Sequence, residues 1–413
     1  MLPITSHIKQ NSLILFFVLC FGNSFYAQED ISRFKFIDRT FNHLYYSKDS
    51  SSFINFFRKL NTLKNSKQRI TIAHIGGSHV QGGIWSNTFV RHFQQEFKST
   101  GGGYFSFPYK IAKTNGQPYA RSFSSGKWKK CRAIGKDFCL PLGMSGMNIS
   151  TNDSTNLFGL TLTAHAICRT ANCVKVYHNF NNSFEFDVNL QENYKYERID
   201  YSKQGFTLFK FDMVLDSIMF KLTRKDTLKK DFIVYGISME NDLNSGFFLA
   251  GLGANGASSV SFLRCSEFTA QFETLSADLV ILSLGVNDTQ SKGFEKEEYI
   301  EHYDSLITAI KKASPGVAIL LTTTTDNFIK RKTSNKRTAT AKEAMFELME
   351  KHNVAVWDLY SIMGGYKSIT KWYKNGLAAR DKVHFNAKGY NILGDMMFEA
   401  VNKSYQHNQK KIN

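Results

Sequence analysis

The stretch IAHIGGSHVQGG, residues 72–83, places a single serine where an apolar run stops. The run RITIAHIGG that precedes the serine is largely hydrophobic, which predicts a strand buried on both faces of a parallel sheet. Beyond it a large aromatic residue recurs at every fourth position, at Trp85, Phe89, Phe93 and Phe97. Such a stripe predicts a helix that packs on the sheet. Ser78 therefore lies between a strand and a helix, at the carboxyl end of the strand.

The same alternation returns in the last third of the chain. Apolar runs in ADLVILSLGVND, GVAILLTTTTD and VAVWDLY predict three more strands. Helical periodicity follows them over residues 295–313, in AKEAMFELMEKHN and in NAKGYNILGDMMFEAV. Strands that alternate with helices form a doubly wound, mostly parallel sheet, whose sites lie at the carboxyl ends of the strands. The predicted fold class is therefore α/β.

Between these two parts the hydrophobic period changes to two. Apolar and polar residues alternate in SFEFDVNL, residues 183–190, and NLFGLTLTAHAI, residues 156–167, has an apolar residue at every second position. Short half-buried strands separated by turns predict an antiparallel sandwich. We therefore predict a β domain over residues 119–245, inserted into an α/β domain that consists of residues 69–118 and 246–405.

The chain begins with the features of a secretory signal peptide. Nine apolar residues, Leu13–Phe21, follow a lysine and precede small and polar residues. This run is too short to cross a bilayer as a helix, so we expect an exported protein without a stable transmembrane anchor. Residues 1–27 are the predicted signal peptide, although cleavage after Ser24 fits the preference for small residues better than cleavage after Ala27. Residues 30–68 are a predicted helical lead-in.

Five cysteines follow the predicted signal peptide. Cys131, Cys139, Cys168 and Cys173 lie within the predicted β domain, where an oxidising compartment would let them form two disulfides in any of three connectivities. The alternative is that they are small buried residues. Cys265 is left over, and the cysteine and histidine spacings do not resemble a zinc site.

The composition indicates a globular protein with a basic surface. With 413 residues and 42% hydrophobic content, the chain can form two domains or one domain with a large insertion. The formal net charge is +17 at pH 7, but lysines and arginines are scattered, with only short clusters such as GKWKK and KRKTSNKR. In an exported protein this pattern indicates a solvated surface, or one that attracts an anionic polymer or a membrane surface, and it does not favour nucleic acid as a partner.

Polar residues far along the chain make Ser78 a candidate nucleophile. By itself, a serine before a helix is more typical of a helix cap. The stretch RDKVHFNAKGY places Asp381 three residues before His384, a spacing that lets the carboxylate hold one imidazole nitrogen while the other faces a serine hydroxyl. GLGANGAS supplies Gly256, whose backbone N–H can approach a ligand. SLGVND supplies Asn287, whose amide can donate to an oxyanion.

The blocks GGSH, GANGAS, GVND and DKVH, in this order, resemble the SGNH (GDSL-type) hydrolase superfamily. The resemblance covers residues 69–118 and 246–405. It implies a three-layer α/β/α, flavodoxin-like hydrolase domain around a five-stranded sheet, which agrees with the alternation of strands and helices.

The resemblance also implies a role for each residue of the four blocks. Ser78 would be the nucleophile, His384 the general base and Asp381 the carboxylate that orients it. The oxyanion hole would consist of the N–H groups of Ser78 and Gly256 together with the side chain of Asn287. This mechanism needs neither a metal nor an organic cofactor.

One position departs from the family pattern. Gly77 stands where an aspartate is usual. That aspartate is not one of the three catalytic residues, so we expect activity. A polysaccharide-binding protein with a degenerate hydrolase domain is an alternative.

Two segments, GGGYFSFPYKIAKTNG and residues 357–385, resemble bacterial peptidoglycan O-acetylesterases, which have a jelly-roll-like, carbohydrate-binding-like insertion at the same point. The resemblance implies an exported serine esterase of the bacterial periplasm or cell surface. Its partner would be an acetylated polysaccharide, most of all peptidoglycan, from which it removes O-acetyl groups. Further alternatives are a lipid or thioester hydrolase and an O-acyltransferase of the same superfamily.

Other polar and aromatic residues receive supporting roles. Trp128, Tyr177 and Tyr194 are candidates for stacking on sugar rings, or else ordinary core and surface residues. His74 and His79 are interpreted as packing or supporting residues. Asp288 is expected to fix the turn after Asn287. Asp326 and Asp358 close strands, where each would cap a helix, line the site or else act in the reaction.

Overall fold

The computed structural model describes residues 30–63, 68–99, 101–135, 138–189, 194–228, 230–241 and 246–412. The predicted signal peptide lies outside these ranges and stays a prediction. Within them, none of the helices combines the length and the apolar character that a membrane crossing requires.

The described strands lie in two larger sheets and one two-stranded ribbon. They are β1 (Leu44–Tyr46), β2 (Arg69–Gly76), β3 (Gly102–Ser106), β4 (Ala120–Ser124), β5 (Lys129–Arg132), β6 (Met147–Thr151), β7 (Thr155–Leu162), β8 (Ala171–His178), β9 (Phe184–Val188), β10 (Tyr196–Tyr201), β11 (Phe206–Leu215), β12 (Ser217–Arg224), β13 (Phe232–Glu240), β14 (Gly246–Gly253), β15 (Leu279–Ser283), β16 (Ala318–Thr322), β17 (Phe328–Ile329), β18 (Thr333–Ser334) and β19 (Ala355–Trp357).

The α-helices are concentrated before β3 and after β14. They are α1 (Ser51–Thr62), α2 (Ser78–Gln81), α3 (Ile84–Glu96), α4 (Ser259–Leu263), α5 (Phe268–Glu273), α6 (Val286–Gln290), α7 (Lys296–Ala313), α8 (Arg337–His352), α9 (Leu359–Ile362), α10 (Ser368–Lys374), α11 (Ala387–His407) and α12 (Gln409–Ile412).

The largest sheet has a parallel centre and an antiparallel extension. Its order is β1-β19-β16-β15-β2-β14-β3-β13-β8-β11-β10, with β6 beside β13 and β5 beside β6. The strands from β19 to β3 are parallel, so the parallel run has six strands, one more than the resemblance implies. β3 is the junction, because it pairs parallel with β14 and antiparallel with β13. The predicted α/β class with a parallel sheet is confirmed.

Helices cover this parallel centre in two groups. The predicted aromatic stripe lies on α3, where Phe89 and Phe93 are fully buried. α3 packs beside α11, and Tyr405 of α11 contacts the rings of Phe57 on α1 and Phe97 after α3. In the second group α7 packs against α4, α5 and α8 and buries Tyr303. These layers explain why the strands between them are apolar throughout, since neither face of the sheet meets solvent.

The second sheet is antiparallel and has the order β4-β7-β12-β9. It packs against the antiparallel extension of the large sheet through aromatic rings. The ring centroids of Phe220 on β12 and Phe209 on β11 lie 5.1 Å apart, and those of Phe186 on β9 and Phe232 on β13 lie 5.4 Å apart. The sequence alternates because one face of each strand is buried in this layer while the other is exposed. The division into two domains at residues 119 and 245 stays a prediction, since β13 shares a sheet with the parallel strands.

The remaining predictions on the fold have mixed outcomes. The lead-in contains helix α1, as expected, but it also contains β1, which pairs antiparallel with β19 and extends the sheet. Cys131 and Cys139 form a disulfide. The second predicted disulfide is not formed, since Cys168 is a free thiol; Cys168, Cys173 and Cys265 are all buried.

Candidate active site

Ser78 lies at the carboxyl end of β2, as the first residue of α2. A Cβ on Gly76 would overlap Cγ2 of Val80 and lie 2.9 Å from the carbonyl oxygen of Ser283, so only glycine fits where the chain leaves the strand. Gly83, with φ of 69°, ends this short turn of helix before α3 begins. The predicted strand, turn and helix are therefore present, with a break between the serine and the main helix.

The structure brings Ser78 next to His384, 306 positions later in the chain. Ser78 Oγ lies 2.7 Å from Nε2 of His384, and Nδ1 of the same ring lies 2.8 Å from Oδ2 of Asp381. The other carboxylate oxygen of Asp381 accepts the backbone N–H groups of Val383 and His384, at 2.9 and 3.0 Å. The carboxylate thus fixes both the turn and the direction of the imidazole.

Asp381 is held in its charged form. Burial acts to raise the pKa of Asp381, but the hydrogen bonds from the backbone and the ring of His384 and from the backbone of Val383 outweigh it and lower the pKa. The side chains of His384 and Asp381 are partly exposed to solvent, by 38% and 21% respectively. Ser78 is partly exposed as well. A dissolved ester can therefore reach the serine hydroxyl.

Three potential hydrogen-bond donors surround the turn that contains Ser78. Nδ2 of Asn287 donates to the carbonyl oxygen of Ala257 at 2.8 Å, which uses one of its two hydrogens. Gly256 is exposed and has φ of 86°. Among the described residues, none accepts a hydrogen bond from the backbone N–H of Ser78 or Gly256. These N–H groups remain available to an oxyanion.

Asp288 connects the loop that supplies Asn287 to the loop that supplies Gly256. Its Oδ1 accepts the backbone N–H and the hydroxyl of Ser259, at 2.9 and 2.6 Å. Burial raises the pKa of Asp288, although the two bonds from Ser259 oppose this shift. Because Asn287 precedes Asp288 and Gly256 lies shortly before Ser259, this contact fixes their relative positions. This is the turn-fixing role expected from the sequence.

His79 supports the imidazole of His384 from within the protein. The centroids of the two imidazole rings lie 5.2 Å apart, and Nδ1 of His79 lies 2.9 Å from the hydroxyl oxygen of Tyr390. Burial lowers the pKa of His79 to about 3, and the nearby charge of His384 acts in the same direction. His79 is therefore neutral and packs against His384, which is the supporting role predicted for it from the sequence.

His74 connects three elements beneath the site. Its two ring nitrogens each lie 2.8 Å from a hydroxyl oxygen, that of Ser86 on α3 and that of Ser283 on β15. Burial lowers the pKa of His74 to about 3. A neutral imidazole with both nitrogens paired is a structural residue.

Asp326 and Asp358 also have structural partners. Oδ1 of Asp358 accepts the hydroxyl of Thr323 and the backbone N–H of Ser361, and so caps α9. Oδ2 of Asp326 accepts the backbone N–H of Ile369 in α10 at 2.9 Å. Within the described ranges, no group of three or more His, Cys, Asp or Glu side chains is arranged to hold a metal ion.

A polar network that the sequence did not predict lies beside the site. Gln81, three residues after Ser78, is fully buried. Its Oε1 accepts the backbone N–H of Asn255 at 2.6 Å, and its Nε2 donates to the carbonyl oxygen of Asn115 at 2.7 Å. No local pattern marks these residues, since their contacts join segments far apart in the chain. The position of Gln81 on the turn after the serine was the one available signal.

Of the three aromatic residues considered for sugar stacking, Tyr177 is ruled out. Only 1% of it is exposed, because it lies in the core between the sheet and α5. Trp128 is partly buried, and its indole N–H donates to the carbonyl oxygen of Ser125. Tyr194 is also partly buried. The sequence pattern does not reveal which face of a strand its aromatic residues occupy.

Part of the chain is similar to a known sequence family. Residues 225–392 match the sequence model of the GDSL-like Lipase/Acylhydrolase family. This range includes Gly256, Asn287, Asp381 and His384 and begins after Ser78. A search of curated proteins gave no match.

Solved structures share the fold at low sequence identity. A structure described as a peptidoglycan O-acetylesterase in action has a TM-score of 0.71 and 18% identity, and the match covers 88% of this chain and 99% of the other. The lipase/acylhydrolase from Enterococcus faecalis has a TM-score of 0.32 and 19% identity, over 39% of this chain and 78% of its own. The first similarity is one of fold over almost the whole chain. Together with the family match, it confirms the predicted resemblance to the SGNH hydrolases.

Proposed function

We propose that this protein is a serine esterase that removes O-acetyl groups from an extracellular polysaccharide, most of all peptidoglycan. The observation that supports this best is the hydrogen-bonded series from Ser78 through His384 to Asp381. The match of residues 225–392 to an acylhydrolase family supports the ester-hydrolase class. In this proposal Ser78, His384 and Asp381 have the roles that the resemblance implied.

The first step forms an acyl-enzyme. Nε2 of His384 removes the proton from Ser78 Oγ, which attacks the acetyl carbonyl carbon. Asp381 stabilises the imidazolium that results and keeps its Nδ1–H directed at the carboxylate. The N–H groups of Ser78 and Gly256 and the free amide hydrogen of Asn287 donate to the oxygen that becomes negative. His384 then gives its proton to the sugar oxygen as the C–O bond breaks.

The second step releases acetate. Water takes the place of the sugar hydroxyl, and His384 removes its proton as the water oxygen attacks the acyl carbon. The tetrahedral oxyanion is held by the same three donors. Its collapse breaks the bond to Ser78 Oγ, which recovers the proton from His384. Both steps therefore use one imidazole alternately as base and acid.

An acetylated cell-wall glycan fits the other features of the protein. The solved structure with the same fold over 88% of this chain is described as a peptidoglycan O-acetylesterase. A formal net charge of +17 favours approach to an anionic polymer. The signal-like residues 1–27 and the disulfide between Cys131 and Cys139 support export to the periplasm or cell surface.

Acetate release from defined substrates tests the proposal. We expect the protein to release acetate from O-acetylated peptidoglycan faster than from acetylated xylan, and to act on nitrophenyl esters with a steep fall in rate beyond acetyl. A fluorophosphonate probe should label Ser78 and should not label the Ser78→Ala variant. A variant that lacks the serine hydroxyl and still releases acetate at the parent rate would refute the proposal. A preference for long acyl chains would indicate a lipid hydrolase.

A further inference from the structure

A cavity of about 290 Å³ lies between the loop that follows β3 and the strand β4. None of the described residues that line it is acidic. Its charged and polar lining consists of Lys110, Asn115, Gln117, Arg121, Ser122 and Thr163. Two aromatic residues, Phe107 and Tyr109, form an apolar wall. The cavity therefore combines positive charge, hydrogen-bonding groups and an apolar surface, as binding sites for small polar groups do.

Two cations at this cavity have no ionic partner among the described residues. Lys110 and Arg121 are both exposed, and neither forms an ion pair with a described carboxylate. By contrast, Lys129 and Lys225, on the exposed surface of the same β-rich region, pair with Asp231 and Glu185. The cavity thus presents two positive charges that no carboxylate in the described part of the chain neutralises. Such a pair attracts an anionic group from solution.

The walls of the cavity are fixed by hydrogen bonds. The backbone N–H of Lys110 donates to Oγ of Ser122 at 3.0 Å, which joins the loop to β4. Gln117 is buried, and its Nε2 donates to the carbonyl oxygen of Gly251 at 2.8 Å. Its Oε1 accepts the hydroxyl of Ser106 at 2.9 Å. The loop is therefore anchored to β14 and β3 of the central sheet, and a ligand would meet a preformed site.

The same walls contact the loop that contains Gly256, one of the three candidate oxyanion donors. The hydroxyl of Tyr109 donates to the carbonyl oxygen of Gly253 at 2.8 Å. Oδ1 of Asn115 accepts from Nδ2 of Asn255 at 2.5 Å, and Asn255 directly precedes Gly256. Gln81 lies between Asn115 and Asn255 on the turn that begins with the nucleophile. The cavity is therefore adjacent to the loop of Gly256 and is joined to the turn of Ser78.

We propose that this cavity is a substrate subsite in which Lys110 and Arg121 bind a carboxylate of the glycan while its acetyl ester lies at Ser78. The inference rests on the proposed function and adds to it the place at which a carboxylate of the substrate is bound. An arginine guanidinium presents N–H donors in the geometry of a carboxylate, and a lysine adds a mobile second charge. Asn115 and Thr163 supply groups that can hydrogen-bond to neighbouring sugar hydroxyls.

Matched substrates test the subsite. O-acetylated peptidoglycan is used with its carboxylates free, and again after carbodiimide coupling to ammonia has converted them to amides. For the Lys110→Gln/Arg121→Gln variant, we expect kcat/KM on the free-carboxylate polymer, relative to that on nitrophenyl acetate, to fall about tenfold or more. The loss should appear as a higher KM. On the amidated polymer, the variant and the parent should have the same ratio of kcat/KM on the polymer to kcat/KM on nitrophenyl acetate. The control variant, Lys312→Gln/Lys410→Gln, removes the same net charge from distant helices and should keep the parent ratio.

Binding without catalysis separates this proposal from the proposed function. In a Ser78→Ala background, co-sedimentation with insoluble peptidoglycan should show weaker binding for the variant that lacks Lys110 and Arg121, and parent-like binding for the control variant. The subsite would be overturned if the variant that lacks Lys110 and Arg121 bound peptidoglycan as tightly as the control variant. It would also be overturned if that variant lost kcat/KM equally on the free-carboxylate and the amidated polymer. A parent that binds in this way but hydrolyses no acetyl ester would overturn the proposed function and leave the subsite standing.

Discussion

The side-chain amide nitrogen of Asn287 lies 3.3 Å from the place that a Cβ would occupy on Gly77. The carbonyl oxygen of Ala257, which accepts a hydrogen bond from the same amide, lies 3.2 Å from that place. The glycine that departs from the family motif is therefore in contact with the candidate oxyanion hole. Because the backbone at Gly77 has φ of −87°, the limit on larger residues comes from this crowding and not from backbone strain.

Gly77→Ala should lower kcat by about tenfold with little change in KM, because a displaced donor weakens transition-state binding. The added methyl group must push Asn287 or Ala257 by a few tenths of an ångström. Steady-state kinetics on nitrophenyl acetate measures the effect. Gly82→Ala is the matched control, since a Cβ there meets only the Ser78 carbonyl oxygen at 3.8 Å. Equal kcat for the two variants would show that the oxyanion hole tolerates a side chain at residue 77.

Ser78→Ala and His384→Ala should each reduce kcat by about 10⁵-fold, and the double variant should be no slower than either, since the two residues act as one unit. Both side chains are partly exposed, so the fold should survive. Circular dichroism checks this, and acetate release measures the rates. Additive losses in the double variant would mean that the serine and the imidazole act separately, against the 2.7 Å contact between them.

Asn287→Ala should cost about 3 kcal/mol of transition-state stabilisation, which corresponds to a loss of roughly a hundredfold in kcat. Asn287→Asp keeps the size of the side chain but replaces the donor with a carboxylate, so we expect a larger loss at neutral pH. Steady-state kinetics should show that both variants lower kcat and change KM little, because an oxyanion donor acts in the transition state. If Asn287→Asp retains more activity than Asn287→Ala, the amide does not face the oxyanion.

Much of the parallel centre of the fold can be predicted from the sequence. The apolar runs that become β2, β15 and β16 are buried on both faces, and the aromatic stripe after β2 becomes α3. In these segments local hydrophobicity and the final environment agree. The same holds for the alternating residues of β7 and β9, which have one buried face.

What could not be predicted depends on contacts between distant segments. β1 has three residues, Leu44–Tyr46, and becomes a strand only because β19 offers it a free edge. β3 joins the parallel and antiparallel parts of the sheet by pairing with β14 and β13, which no property of the stretch GGYFS specifies. In the candidate site the motif residues could be named, but Gln81 and Asn115 could not. Their importance comes from hydrogen bonds to partners remote in sequence.

Asp326 is a buried carboxyl group two residues before Phe328, whose backbone N–H donates to the carbonyl oxygen of Lys382, between Asp381 and His384. Its Oδ2 accepts the backbone N–H of Ile369, while Oδ1 has no hydrogen-bond partner among the described residues. Burial raises the pKa of Asp326 to about 6, although backbone hydrogen bonds, the first from Ile369, oppose the shift. The folded protein therefore binds a proton at this site more tightly than the unfolded chain does. Stability contributed by the protonated form is lost as the pH rises from about 4 to about 6.

Asp326→Asn should remove this pH dependence, since asparagine keeps an oxygen that can accept from Ile369 but has no charge to desolvate. A shift of about two pKa units corresponds to about 3 kcal/mol, so the variant should equal the parent near pH 4 and be more stable above pH 7. Thermal unfolding at pH 4, 5, 6 and 7.5 measures the difference in Tm. The control is Asp226→Asn, which removes an exposed carboxylate. Its difference in Tm from the parent should be the same at all four pH values. A constant difference between Asp326→Asn and the parent would mean that Asp326 is already neutral, or equally solvated, across this range.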